Sequence, residues 1–190
     1  MIKKAIMVGF ILLFSATLAA CASDDQGKGK EENHENMDMG SDSHESMDHS
    51  SSGEVPDDLK KADNPTYEVG SQAIIKTDHM KGMKGAEATI VGAYDTTAYV
   101  ISYTPTTGGE RVEDHKWVIH EEIEGAGEKP FEPGAEVTID ASHMKGMDGA
   151  TAEIESAKQT TVYMIDYTPT TGGEEVKNHK WVTGSELSNE

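Results

Sequence analysis

Cysteine occurs once in this 190-residue chain, at Cys21, so no disulfide can form within it and no second thiol is left for redox or nucleophilic chemistry. Aromatic residues make up only 6%, and 16 basic residues stand against 35 acidic ones, a formal net charge of -19. That charge repels a phosphate backbone, which excludes nucleic acid as a partner, and it draws cations in. No apolar run is long enough for a comfortable membrane-spanning helix; the longest extends from Ala5 to Ala20. Catalytic signatures are missing too: no Gly-x-Ser-x-Gly elbow, no His-Glu-x-x-His pair and no glycine loop followed by Lys-Ser/Thr. Carboxylates are plentiful but scattered over solvated positions, so no acid–base pair stands out and an enzyme is not expected.

What the chain does contain is a repeat. His79-Met80-Lys81-Gly82-Met83-Lys84-Gly85-Ala86 returns 64 residues later as His143-Met144-Lys145-Gly146-Met147-Asp148-Gly149-Ala150. The same offset carries Tyr103-Thr104-Pro105-Thr106-Thr107-Gly108-Gly109 onto Tyr167-Thr168-Pro169-Thr170-Thr171-Gly172-Gly173, and His115-Lys116-Trp117-Val118 onto His179-Lys180-Trp181-Val182, without a gap. A fixed period of this kind marks a tandem duplication.

Ahead of the repeats, Lys3 and Lys4 precede the apolar run, which ends in Leu18-Ala19-Ala20-Cys21. Residues 1–20 read as a secretory signal peptide, and those last four residues resemble a bacterial lipobox, in which the cysteine is acylated and becomes the new N-terminus. Cys21 is thus the expected lipidation site, holding the protein at the outer, extracytoplasmic face of the cell membrane. Residues 21–64 shift to Asp, Glu, Ser, Gly, Asn, His and Met, a composition that cannot bury enough surface to offset its ordering entropy. It reads as a disordered tether. Within it His34, Met37, Met39, His44, Met47 and His49 alternate with carboxylates. Thioether beside imidazole suits monovalent copper or silver, and imidazole with carboxylate suits divalent copper or zinc. The alternative is a low-complexity spacer.

The repeats read as strands. Ala150, Ala152 and Ile154 alternate with Thr151, Glu153 and Glu155, and the first copy keeps Ala86, Ala88 and Ile90. Tyr99, Ile101 and Tyr103 equal Tyr163, Ile165 and Tyr167, while Ser102 faces Asp166 between the copies. Asp95-Thr96-Thr97 reads as a tight turn and Pro105–Gly109 as a wider one. The expected class is all-β: two tandem small SH3-like or KOW-like barrels over residues 65–122 and 131–187, joined by a linker over 123–130, with closure removing the sheet edges.

The paired His-Met-Lys-Gly-Met loops, Tyr-Thr-Pro-Thr-Thr-Gly-Gly loops and His-Lys-Trp-Val segments resemble the YdhK family of bacterial lipoproteins, from about Tyr67 to Val182 and again at the lipobox. The resemblance implies a surface lipoprotein with two copies of a domain of unestablished function, loosely associated with copper-handling neighbourhoods.

His79, Met80 and Met83, with His143, Met144 and Met147, put one imidazole and two thioethers into each five-residue loop, and His115 or His179 could add another imidazole. The bland alternative makes the methionines core residues and gives His79 a loop-capping hydrogen bond. The Thr-Pro-Thr-Thr-Gly-Gly loop is expected to be turn chemistry, and Trp117 to be core. Two functions follow: a membrane-anchored metal-binding protein, with copper as its ion, or a tandem binding module for a cell-wall polymer or protein partner, with the tail as spacer.

Overall fold

The computed structural model describes residues 50–189. The signal segment, Cys21 and the tail donors His34, Met37, Met39, His44, Met47 and His49 lie outside the described residues. Seven strands follow in order: β1 Gln72–Ile75, β2 Glu87–Tyr103, β3 Val112–Ile119, β4 Glu136–Thr138, β5 Thr151–Tyr167, β6 Val176–Thr183 and β7 Leu187–Ser188. Single 3-10 turns, His120–Glu122 and Gly184–Glu186, close the repeats.

The expected turn at Asp95-Thr96-Thr97 does not exist. β2 runs 17 residues straight through it, pairing Asp95 with Thr161, Thr96 with Thr160 and Thr97 with Gln159 of β5. The triplet holds no glycine or proline, and β-branched threonine favours the pleated state. Thr161 Oγ1 donates to Asp95 Oδ1 at 2.7 Å and Thr97 Oγ1 to Gln159 Oε1 at 3.0 Å, so the polar side chains find cross-strand partners instead of turning the chain.

This continuity reorganises the molecule. β2 and β5 lie antiparallel along their full lengths, from Ala88 opposite Tyr167 to Tyr103 opposite Ala152. The first half of each repeat therefore sits on the second half of the other. One core joins Ala73, Ile75, Met83, Ala88 and Ile90 to Tyr163, Ile165, Tyr167, Val182 and Leu187. The second joins Tyr99, Ile101, Tyr103 and Val118 to Val137, Ile139, Met147, Ala152 and Ile154. The all-β class and the duplication hold, but the expected pair of closed barrels gives way to one open sheet. Its order is β4-β5-β2-β1-β7, with β3 on β2 and β6 on β5. The two copies carry the same alternation, so a half-repeat finds the same apolar complement in the other copy as in its own.

A third cluster at the centre gathers Leu59, Tyr94, Ala98, Ile119, Val162, Met164 and Trp181. Residues 50–64, expected as the end of a disordered tether, pack instead: they supply Leu59 to this cluster and pair with the β2 edge, where Asp95 N–H donates to Lys60 C=O at 2.9 Å and Ala62 N–H to Ala93 C=O at 3.0 Å. The corresponding edge of β5, 155–159, is solvent-exposed throughout. Among the described residues this stretch of edge is thus covered on β2 and left open on β5.

Candidate functional site

Each His-Met-Lys-Gly-Met loop is wedged between its own core and the other repeat. Met83 and Met147 are fully buried, one in each composite core. Gly82 has φ +82°, and a Cβ there would lie 2.6 Å from Thr171 Oγ1 and 2.9 Å from Pro169 Cβ. The backbone must pass this close because Thr170 N–H donates to Gly82 C=O at 2.9 Å, and Thr106 N–H does the same to Gly146. The Thr-Pro-Thr-Thr-Gly-Gly loop of one repeat is therefore a clamp on the His-Met loop of the other.

The clamps bring four imidazoles into the wall of one cavity of about 1300 Å³ between β3 and β6, with Met80, Met144 and the carboxylates of Asp78, Asp114, Glu122 and Asp140. His143 Nε2 lies 2.8 Å from Glu122 Oε1. Glu122, only 4% exposed, also accepts Trp181 Nε1–H at 3.0 Å and the Ile119 N–H at 3.2 Å through Oε2. The mirror arrangement places His79 Nε2 2.7 Å from Glu186 Oε1, while Glu186 Oε2 accepts Trp117 Nε1–H and the Thr183 N–H, each at 2.8 Å. His79 meets Glu186 in a close contact that is out of line for a ring N–H hydrogen bond. It does not cap its loop. Burial pushes the Glu186 carboxyl upward, but the His79 contact, the Thr183 N–H and the Trp117 N–H outweigh it and hold the group down at about 2.

His115 and His179 come from β3 and β6 and stand edge-on to Tyr103 and Tyr167, at 6.0 and 5.9 Å between ring centroids. Burial lowers His115 to about 4, and the nearby His143 and His79 rings act the same way against the pull of Glu122. His115 is consequently neutral at physiological pH. Its Nε2 is buried without a hydrogen-bond partner among the described residues, as are the Nδ1 atoms of His79 and His143. Met144 Sδ accepts from the Tyr103 hydroxyl at 3.9 Å. Of the loop and strand donors expected from sequence, the fold brings His79, Met80, His115, His143, Met144 and His179 to one cavity and sends Met83 and Met147 to the cores. Among the described residues no three His, Cys, Asp or Glu side chains form a ready-made metal cage.

Glu122, Glu186 and the tryptophans as their donors escape sequence reasoning, although a signal exists. Glu122 recurs as Glu186 while its neighbours His120 and Glu121 change to Gly184 and Ser185.

The two sides of the cavity are not equivalent. Residues 50–56 strap across the β6 side: Ser51 N–H donates to Lys177 C=O at 3.0 Å, Asn178 Nδ2 to Ser51 C=O at 3.1 Å, and Lys180 Nζ to Glu54 C=O. Trp181 is consequently buried while its counterpart Trp117 is half-exposed. On β3 the residue matching Asn178 is Asp114; both have φ 52°, but Asp114 lacks the amide that grips the strap.

The family described as "Protein of unknown function (DUF1541)" matches residues 69–120 and 133–184. A Bacillus subtilis (strain 168) relative carrying the name "Uncharacterized protein YdhK" is 62% identical over 178 residues, 94% of this chain and 86% of the relative. The crystal structure of a DUF1541 family protein, ydhK of the same organism, superposes with TM-score 0.75 at 69% identity, covering 77% of this chain and 100% of that one. A solution NMR structure of the ydhK C-terminal domain from B. subtilis superposes with TM-score 0.61 at 73% identity over 64% of this chain and 92% of that one.

Proposed function

The chain belongs to the DUF1541 family, and from that premise we propose that it is a lipid-anchored, extracytoplasmic protein that binds copper in its monovalent state. The observation that carries the reading is His115: a neutral imidazole whose buried Nε2 has no partner among the described residues, in a cavity wall with three further histidines and two thioethers. Leaving a buried polar nitrogen unmatched costs stability, and a bound cation offsets that cost. The donor chemistry selects the ion. Zinc wants a closed tetrahedral set, which the described residues do not hold, whereas monovalent copper accepts few, soft donors, imidazole and thioether among them. The net charge of -19 concentrates cations near the surface, and Cys21 acylation keeps the site outside the cell. Copper in both oxidation states titrated into the chain from residue 22 onward tests this. Micromolar or tighter binding that falls when His79, His115, His143 and His179 are replaced by glutamine supports it. Absence of binding in either state, or binding indifferent to those replacements, ends it.

A second reading, a binding module for a cell-wall polymer or protein, is favoured by the uncovered β5 edge at 155–159, since an unpaired edge accepts an extended strand. Chelator-insensitive sedimentation with cell-wall fragments, lost when Ala157 is replaced by proline, would support this reading over copper binding.

A further inference from the structure

We infer that β3 residues 113–117 and the β5 edge at 155–159 form a docking site for an extended peptide segment of another protein, basic along β3 and aliphatic over Trp117. The inference rests on the binding-module reading above and takes its protein branch rather than its polymer branch.

The molecule already holds one such segment, residues 50–62, fastened at three points. Ser51 N–H donates to Lys177 C=O on β6 at 3.0 Å, and Val55 and Leu59 join the apolar cluster that contains Trp181. Residues 60–62 then pair with β2, where Ala93 C=O accepts from Ala62 and Asp95 N–H donates to Lys60. Moving each point by the 64-residue repeat lands on Glu113 C=O, on Trp117, and on Ala157 C=O with Gln159 N–H. The local geometry is shared: Lys116 Nζ stands 5.8 Å from the centre of the Trp117 ring and Lys180 Nζ 5.7 Å from that of Trp181. Cover is what differs. Ala93, Tyr94 and Trp181 are buried, whereas Ala157 and Lys158 are exposed and Trp117 is partly so. The second repeat has no equivalent segment to lay there. Residues 114–126, which stand 64 places beyond 50–62, are β3 itself, the 3-10 turn and a stretch tied down by Glu124 N–H to Thr138 C=O at 2.9 Å. An unpaired edge beside a partly exposed indole takes an extended chain, the edge giving main-chain hydrogen bonds and the indole an anchor.

The charges name the occupant. Beneath residues 50–62 lie Lys177 and Asn178, and the segment above them is acidic at Glu54, Asp57 and Asp58. On β3 the matching positions are Glu113 and Asp114, so the sign under the peptide is reversed and lysine or arginine belongs where the strap carries acids. Asn178 Nδ2 donates to Ser51 C=O at 3.1 Å, while a carboxylate at Asp114 would meet that carbonyl with an acceptor. The strap of a second copy is therefore repelled here. At the far end Lys61 bridges to Tyr94, whose counterpart is Lys158, so the occupant carries an acid opposite that lysine.

The test uses the metal-free chain from residue 22 onward and two synthetic peptides. One has the sequence of residues 50–62; the other has lysine in place of Glu54, Asp57 and Asp58 and glutamate in place of Lys61. The basic peptide should bind about tenfold tighter or more, moving the NMR signals of the Trp117 indole and the 156–159 amides while the Trp181 indole stays put. The Glu113→Lys, Asp114→Asn double variant, altered only at exposed side chains, should reverse the preference, and Ala157→Pro should weaken both peptides. Tighter or equal binding of the strap-sequence peptide, or a preference indifferent to the double variant, overturns the inference. If neither peptide binds but the chain sediments with cell-wall fragments in an Ala157-dependent way, the binding-module reading stands and the peptide site falls. If it does neither, both fall.

Discussion

Glu122 of the first repeat stands 2.8 Å from the His143 ring of the second, and the same carboxylate receives the Trp181 indole N–H. One buried side chain therefore fastens a 3-10 turn to a loop and to a strand of the other copy. Replacing Glu122 by alanine leaves the Trp181 and Ile119 N–H groups buried without an acceptor. Urea denaturation of that variant should show a loss of about 3 kcal/mol. The mirror variant at Glu186, whose partner Trp117 is half-exposed, should lose less. Equal, sub-kilocalorie losses at both positions would contradict the assignment.

Acid should weaken the fold in two stages. His115 titrates near 6.5 when unfolded and at about 4 when folded, so between those values the unfolded chain takes a proton that the folded one refuses. Stability falls as pH drops through this window and levels off below it, by about 3 kcal/mol. Glu186 then contributes stabilisation that is complete above 4.5 and is lost as pH falls toward about 2. In metal-free protein the His115→Asn variant should lose the upper stage and keep the lower. A parent chain equally stable at pH 7.5 and pH 5 would refute the His115 part.

The clamps single out two glycines among many. Gly82→Ala and Gly146→Ala put a Cβ 2.6 Å from a threonine hydroxyl, besides forcing alanine into positive φ. Gly85 and Gly149 also have positive φ, but open space surrounds them. Thermal melts should rank Gly82→Ala and Gly146→Ala as the more harmful, at about 3 kcal/mol against about 1 kcal/mol for the other pair. Identical losses in both pairs would mean that the loop contact does not hold the site.

Composite cores predict the behaviour of a nicked chain. With a protease site introduced over 125–129 and cut, the two fragments should co-elute under native conditions and separate only in denaturant, since each core needs strands from both. Fragments that part without denaturant would show that each repeat folds alone.

Much of this was legible in the sequence. Period-two alternation located the strands, and the bland reading of the loop methionines as core holds for the fully buried Met83 and Met147 but not for Met80 and Met144, which stay partly exposed in the cavity wall. The swap was invisible because two near-identical repeats offer each half-strand two equal complements, and local pattern carries no information about which copy it joins. The false turn at Asp95 came from weighting an Asp-Thr pair over the β-branching of Thr96 and Thr97, which a neighbouring strand could exploit. The clustering of His79, His115, His143 and His179 was foreseen only as a condition on how the repeat ends meet the loops. Crossing of the copies met it: the loop of each repeat faces the closing turn of the other.

Repeat proteins ordinarily lengthen one unit at a time, because each unit stacks on its neighbour. Crossed halves forbid that arithmetic: a third copy added to this chain would find both existing copies already engaged and would have to recruit a mate from another molecule. Each core takes strands from both copies, so the loss of a single copy leaves half of each core without its complement.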